Sequence, residues 1–221
     1  MKQAQAQTET HPEAQAQAQA KHLTVNNILE LNPCNPPYTS SHITELFAGR
    51  ETLTPVDILL MENIPPADRL WVVLREAVLP ARILQEFACR VAEQNLQIER
   101  AAGREPDPRS WAAPQAKRAW LNKQITTNVL RSAWTAAGNA ASEAESRTTR
   151  TTRAERVAEL AGTSAAPPSV ASATMVAREA SSAAIGAARA SVRPSEQRSG
   201  ADLENVVGAA HCITLLSCIL G

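Results

Sequence analysis

Ile64–Leu96, IPPADRLWVVLREAVLPARILQEFACRVAEQNL, is the one long stretch where apolar spacing, helix punctuation and charge placement agree. Pro65 and Pro66 favour a helix start, because the first turn leaves its N–H groups unpaired and proline lacks one. Asp68 falls in that turn, where a negative charge meets the positive end of the helix dipole. Leu70, Val73, Leu74 and Ala77 follow at three- and four-residue steps and share a face, with Arg69, Arg75 and Glu76 off it. Pro80 ends this helix and opens the next. There Leu84, Phe87, Val91 and Ile98 repeat, with Ala88 and Cys89 beside them. Arg82 and Arg90 are both within reach of Glu86, in pairs worth ~0.2–0.5 kcal/mol each. The spacing predicts a helical hairpin whose two stripes face each other.

Outward from this stretch the composition sets limits. The chain has 221 residues with Lys+Arg and Asp+Glu equal at 22 each, so no global field draws it to nucleic acid or an anionic membrane. Apolar residues make up 44% but aromatics only 3%. Much of the apolar content is alanine, which forms helices readily and buries little area. The core is therefore expected between Leu23 and Trp134, where Leu, Val, Ile, Trp and Phe concentrate. The fold class predicted is all-α, an antiparallel bundle or array of helical hairpins, with a low-complexity N-terminal tail and a poorly packed C-terminal third.

Four segments are expected. Residues 1–21 form a Gln/Ala tail with no apolar stripe and no signal-peptide run. Residues 22–146 form the helical domain. Leu23–Leu31 is its first short helix, with Val25, Ile28 and Leu29 on one side, and about Ser41–Ala48 its second, stopped by Gly49. Thr54-Pro55 starts a third, with Val56, Leu59 and Leu60 buried. After the charged turn Gly103–Ser110, a helix carrying Trp111, Trp120 and Leu121 has its firm part from about Ala113, because Pro114 is costly inside a helix. Lys117 and Arg118 are placed outside its apolar side. A last helix of this domain begins at Ile125–Thr127 and thins into alanine. Residues 147–200 are low in complexity and partly disordered in expectation, while 201–221 form an apolar helix. A spanning helix needs about 20 apolar residues, and this run contains His211 and lacks flanking positive charge, which favours packing over insertion.

The motif FAGRETLTPVDILL from Phe47, followed by IPPADRLWVVLRE, LP, LQEFACRVAE and PDPRSWAAPQAKRAWL, resembles a family of small bacterial and phage immunity proteins. The resemblance runs from about Phe47 to Trp134. It implies a small all-helical protein with a long alanine-rich helix near its end, whose function is to neutralise a toxin by binding it. In that family the helix after the WL motif is punctuated by Trp, Tyr and Asp, whereas this chain keeps Trp134 and then turns to serine, threonine and arginine.

No phosphate loop, zinc-ligand spacing or nucleophile elbow appears, so no enzyme and no cofactor is expected. Cys34, Cys89, Cys212 and Cys218 lack CxxC spacing and read as reduced thiols of a cytoplasmic protein. His211, Cys212 and Cys218 read as core rather than as metal ligands. Arg69, Arg75, Arg82 and Arg90 interleave with acids and read as a salt-bridged surface rather than a nucleic-acid groove. Trp71, Arg75 and Trp120 are the candidate partner-binding residues, tryptophan and arginine being enriched at interface hot spots, while a core position is the plainer reading of the two tryptophans. The alternative function is a phage or bacterial accessory helical protein without a toxin partner. In that alternative the C-terminal third is translated in a shifted frame: from their third base, the codons of RTTRTTR at 147–153 can encode Asp, Tyr and Ala.

Overall fold

Nearly every helix start is marked by a hydroxyl side chain, a carboxylate or a proline. The computed structural model describes residues 21–34, 37–145 and 200–220. Within them lie α1 (Val25–Glu30), α2 (Ser40–Leu46), α3 (Pro55–Leu59), α4 (Pro66–Val73), α5 (Ala81–Ala101), α6 (Pro108–Leu121), α7 (Thr127–Glu145) and α8 (Gly200–Leu220). Thr24, Thr39 and Thr54 cap the first three, each accepting the N–H of the residue three positions on. Pro65 and Pro80 precede α4 and α5, and Asp107 caps α6 ahead of Pro108. The fold is all-α, as its sequence pattern predicts. Among the described residues the only β-type pairing is one antiparallel bridge, Leu23 with Leu53, closed by two N–H···O bonds of 2.8 Å. That bridge takes Leu23 out of the expected first helix, which starts after the Thr24 cap.

The two central helices are present, but they do not form the expected face-to-face hairpin. α4 ends at Val73. Leu74 adopts φ −75° and ψ 59°, and Arg75 N–H bonds back to Val73 O at 2.7 Å, an inverse γ-turn. Leu79 precedes a proline and is thereby disfavoured from helix, so the chain reaches Pro80 through a turn closed on Arg75 O. Val78 and Leu79 are buried in this turn, while Ala77, expected on the stripe, is exposed. α4 packs mainly on α8, and α5 lies between α6 and α8, so the two do not pack chiefly on each other.

α8 is the helix that joins the core. Cys212, Leu215, Cys218 and Ile219 are buried in the same cluster as Leu70, Val73, Leu84, Phe87 and Val91. His211 meets Phe87 edge to face, ring centroids 6.1 Å apart. Gly208 lies against α4 so closely that an added Cβ would stand 2.9 Å from Pro66 Cβ. Polar ties seal the α5 side: Arg90 donates to Ser217 Oγ at 2.8 Å and Gln94 to Thr214 Oγ1 at 3.0 Å. The expected apolar helix at 201–221 thus belongs to the core of the 22–146 domain. The other expectations for the C-terminal third, low complexity and a shifted frame, fall on residues 146–199, and the Gln/Ala tail on 1–20. Both lie outside the described residues.

The opposite side of α5 carries α6 and α7. α6 runs unbroken from Pro108 through Pro114, one and a half turns earlier than expected, with both Pro114 and Ser110 buried. α7 packs Leu130, Ala137, Ala140 and Ala141 inward, and small side chains let it approach α6 closely. Arg109 joins the ends of this pair, bonding Asp107 and Glu143. Arg118 crosses to α5, where it pairs with both Glu86 (2.9 Å) and Glu93. Arg82 therefore does not share Glu86 with Arg90; its guanidinium donates to Asn122 at 2.7 Å.

Two apolar assignments also change. Leu60, expected to be buried, lies just past the five-residue α3 and is 60% exposed; Ile58 and Leu59 take the inward positions. Ile98 is 58% exposed, because the last turns of α5 cover the side toward α6, where Asn95, Leu96 and Glu99 are buried. Phe87 stands at the centre, fully buried between α5 and α8. Phe87→Ala is expected to lower unfolding free energy by about 3–5 kcal/mol. Urea unfolding followed by far-UV circular dichroism checks this; a loss below about 1 kcal/mol contradicts the packing described.

Candidate functional site

α1, α2, α3 and α4 do not close completely on one another. Between them lies a partly open cavity of about 110 Å³, walled by Ile28, Ile43, Phe47, Leu53, Ile58 and Trp71 among others. Each helix is too short to hold itself by backbone hydrogen bonds alone, so these four depend on their caps and on the apolar side chains they turn inward. Three polar side chains reach the same space. Tyr38 donates its hydroxyl to Asp68 Oδ2 at 2.5 Å. Burial, and then the neighbouring Asp68 carboxylate, raise the Tyr38 phenol above its ordinary range, so it remains a proton donor. Arg69, from the first turns of α4, is the third.

Arg69 is 8% exposed, although the sequence pattern places it off the apolar stripe. It stands four residues before Val73, so the helix turns both to the same side. Its Nη1 donates to Leu59 O at 2.6 Å, which ties the end of α3 to α4. Its Nε is buried without a hydrogen-bond partner, and no carboxylate pairs with it among the described residues. A second cation is buried deeper. Lys117, expected outside the apolar side of α6, has no exposed surface and lies 4.4 Å from the Trp120 ring centroid. Burial brings its ammonium pKa down to about 8. Its position was readable: Ala113, Lys117 and Leu121 recur at four-residue steps, and the middle one faces α5.

The three candidate partner-binding residues do not form one site. Trp71 on α4 and Arg75 in the turn that follows stand together: the Arg75 guanidinium stacks over the Trp71 ring, 4.2 Å from its centroid, and Nε donates to Trp71 O at 3.1 Å. Both are half-buried, and Trp71 forms part of the cavity wall. Trp120 lies at the end of α6, where Nε1 donates to Thr127 Oγ1 at 3.2 Å. There it lines a shallow groove with Ala81, Gln85 and Lys123. The arginines proposed as a surface series also part company: Arg69 turns inward, Arg75 covers Trp71, Arg82 reaches α6 and Arg90 reaches α8. What the sequence reading missed is the convergence of Tyr38, Asp68 and Arg69. Asp68 was legible only as a dipole partner, and Tyr38 comes from a loop with no periodicity to read.

The cysteines are unpaired, with Cys34 exposed and Cys89, Cys212 and Cys218 buried. Burial pushes the Cys89 and Cys218 thiols up to about 12, which leaves them as inert apolar fillers. Among the described residues no helix is long and apolar enough to cross a membrane. Comparison with family models, with curated proteins and with solved structures gives no match to the chain.

Burial of His211 depresses its pKa to about 4. The folded state therefore disfavours the imidazolium, whereas the unfolded chain protonates near 6.5. Stability from this group is complete above pH 6.5 and is lost as pH falls toward 4, by at most about 1.4 kcal/mol per pH unit. Urea unfolding of wild type and His211→Leu at pH 7 and pH 4.5 checks it. The wild type is expected to lose more stability between the two than the variant does; equal losses contradict the assignment.

Proposed function

We propose that the protein is a non-enzymatic binding module of the immunity type, which neutralises a toxin in the cytoplasm by covering it with a helical face. The face is the outward side of α4 and of the turn that follows it. The observation that carries this reading is the Trp71–Arg75 pair, a half-buried indole with a guanidinium stacked at 4.2 Å. Such a pair presents a flat, rigid surface with apolar area and a fixed positive charge, and it loses little side-chain entropy when a partner covers it. Trp and Arg are also the residue types that carry most of the energy at protein interfaces. The resemblance over Phe47–Trp134 supplies the class of partner, and the reduced cysteines agree with a reducing compartment.

The test begins with the full chain as bait in its native host, followed by mass spectrometry of what is retained. The retained protein is then purified and titrated against variants. Trp71→Ala is expected to weaken binding by about 2 kcal/mol or more, roughly thirtyfold, and Arg75→Ala by a smaller amount. Trp120→Ala is expected to leave the affinity within about threefold. Retention that is indifferent to Trp71 and Arg75, or a partner whose toxicity the chain does not relieve, contradicts the reading.

A further inference from the structure

We propose that the cavity between α1 and α4 binds a small monocarboxylic acid, its apolar body about one aromatic ring in size and its carboxylate held by Arg69. Two separate observations converge on this ligand. The first is space: a void of about 110 Å³ with aliphatic and aromatic walls remains between four helices. A well-packed interior has few voids larger than a water molecule, and an engineered apolar cavity of about 150 Å³ takes up benzene. An apolar body of six to eight carbon atoms therefore matches the space and its walls.

The second observation is charge. Arg69 is more than nine-tenths buried beside that void, with one hydrogen bond, to Leu59 O, and an unpartnered Nε. A buried cation without an anion carries a large desolvation cost, and proteins ordinarily set a carboxylate against it. The nearest acid in sequence is withheld from that role. Asp68 accepts the Tyr38 hydroxyl at 2.5 Å and forms no ion pair with Arg69 among the described residues. Arg69 lines the cavity with one hydrogen bond and no ion pair among the described residues, and its planar donor geometry suits an outside carboxylate. Asp68 has a second consequence. Its own negative charge excludes a dianion from the cavity and leaves room for one carboxylate, on the Arg69 side. Aliphatic walls accept a branched chain as readily as a ring, so aryl and branched aliphatic monoacids are both in the class.

Trp71 walls the cavity as well as carrying the proposed interface, and Arg69→Met and Leu46→Trp leave it unchanged. The inference needs no protein partner. It is tested on the full chain by calorimetric titration with phenylacetate and 4-methylpentanoate, with phenylacetamide as the neutral isostere. Saturable one-to-one binding of both acids is expected, with the amide at least about tenfold weaker for want of a charged acceptor. Arg69→Met keeps the length of the side chain and removes the charge. It is expected to melt no lower than wild type and to bind the acids at least about tenfold more weakly. Leu46→Trp, which fills the void from α2, is expected to abolish binding of acid and amide alike. No uptake of either acid at millimolar concentration overturns the proposal, as does equal affinity for acid and amide. Undiminished binding by Arg69→Met overturns it too. A peptide carrying an amidated C-terminal leucine that binds where the acids do not also overturns it, and places a partner's side chain in the cavity instead.

Discussion

The docking of α8 onto α4 and α5 is the contact on which the rest of the molecule depends. α5 is amphipathic, with Leu84, Phe87 and Val91 on one side, and that side needs a cover. The nearest helix in sequence, α4, is only eight residues long and turns away at Leu74. The cover comes from far along the chain, where Val206–Leu220 contains no charged residue. Its inward side supplies His211, Cys212, Leu215, Cys218 and Ile219. Gly208 allows α8 to approach Pro66 at a distance that any side chain would prevent without adjustment. Removing this helix would expose the largest side chains of the core at once, at ~25 cal/mol per Å² of apolar surface.

α5 therefore has two kinds of interface. Toward α8 it is apolar and sealed at its rim by hydrogen bonds to hydroxyls, Arg90 to Ser217 and Gln94 to Thr214. Toward α6 it is charged: Arg118 grips Glu86 and Glu93, and Lys117 sits beneath, against Trp120. Small residues on α7 then add a third layer without adding much apolar area. Both interfaces rely on side chains that cross between helices rather than on the i, i+4 pairs along one helix. Buried cations recur in this plan. Lys117 is accommodated by an aromatic face, while Arg69 has a carbonyl oxygen for part of its guanidinium and an apolar cavity beside the remainder.

Local chemistry was legible in the sequence, and long-range pairing was not. The proline starts, the Thr54 cap and the apolar stripe Leu84–Phe87–Val91 are set by neighbours within a few residues, and they appear as expected. So does the terminal helix, whose apolar run reads as packed rather than spanning. The partner of each stripe is set by residues more than a hundred positions away, and periodicity carries no information about it. Ala77 and Ile98 fit the period yet stand exposed, because nothing among the described residues covers them. Arg69 and Lys117 break the apolar pattern yet are buried, because helix geometry turns them inward with Val73 and Ala113. Of the candidate binding residues, Trp71 at the end of α4 and Arg75 in the following turn come together, while Trp120 belongs to a different surface. The cavity with Tyr38, Asp68 and Arg69 needs four separate elements, which no single stretch of sequence displays.

The central claim is that α8 completes the core by its inward side alone, and one comparison on that helix tests it directly. Leu215 is fully buried and Ile213, two residues earlier, is 68% exposed. Urea unfolding of Leu215→Ala and Ile213→Ala in the full chain removes a similar aliphatic side chain from each side of one helix, so helix propensity barely separates them. Leu215→Ala is expected to cost about 2–5 kcal/mol, and Ile213→Ala within about 0.5 kcal/mol of zero. Equal effects, or a larger loss from Ile213→Ala, would contradict the account, because α8 would then not be seated between α4 and α5 as described.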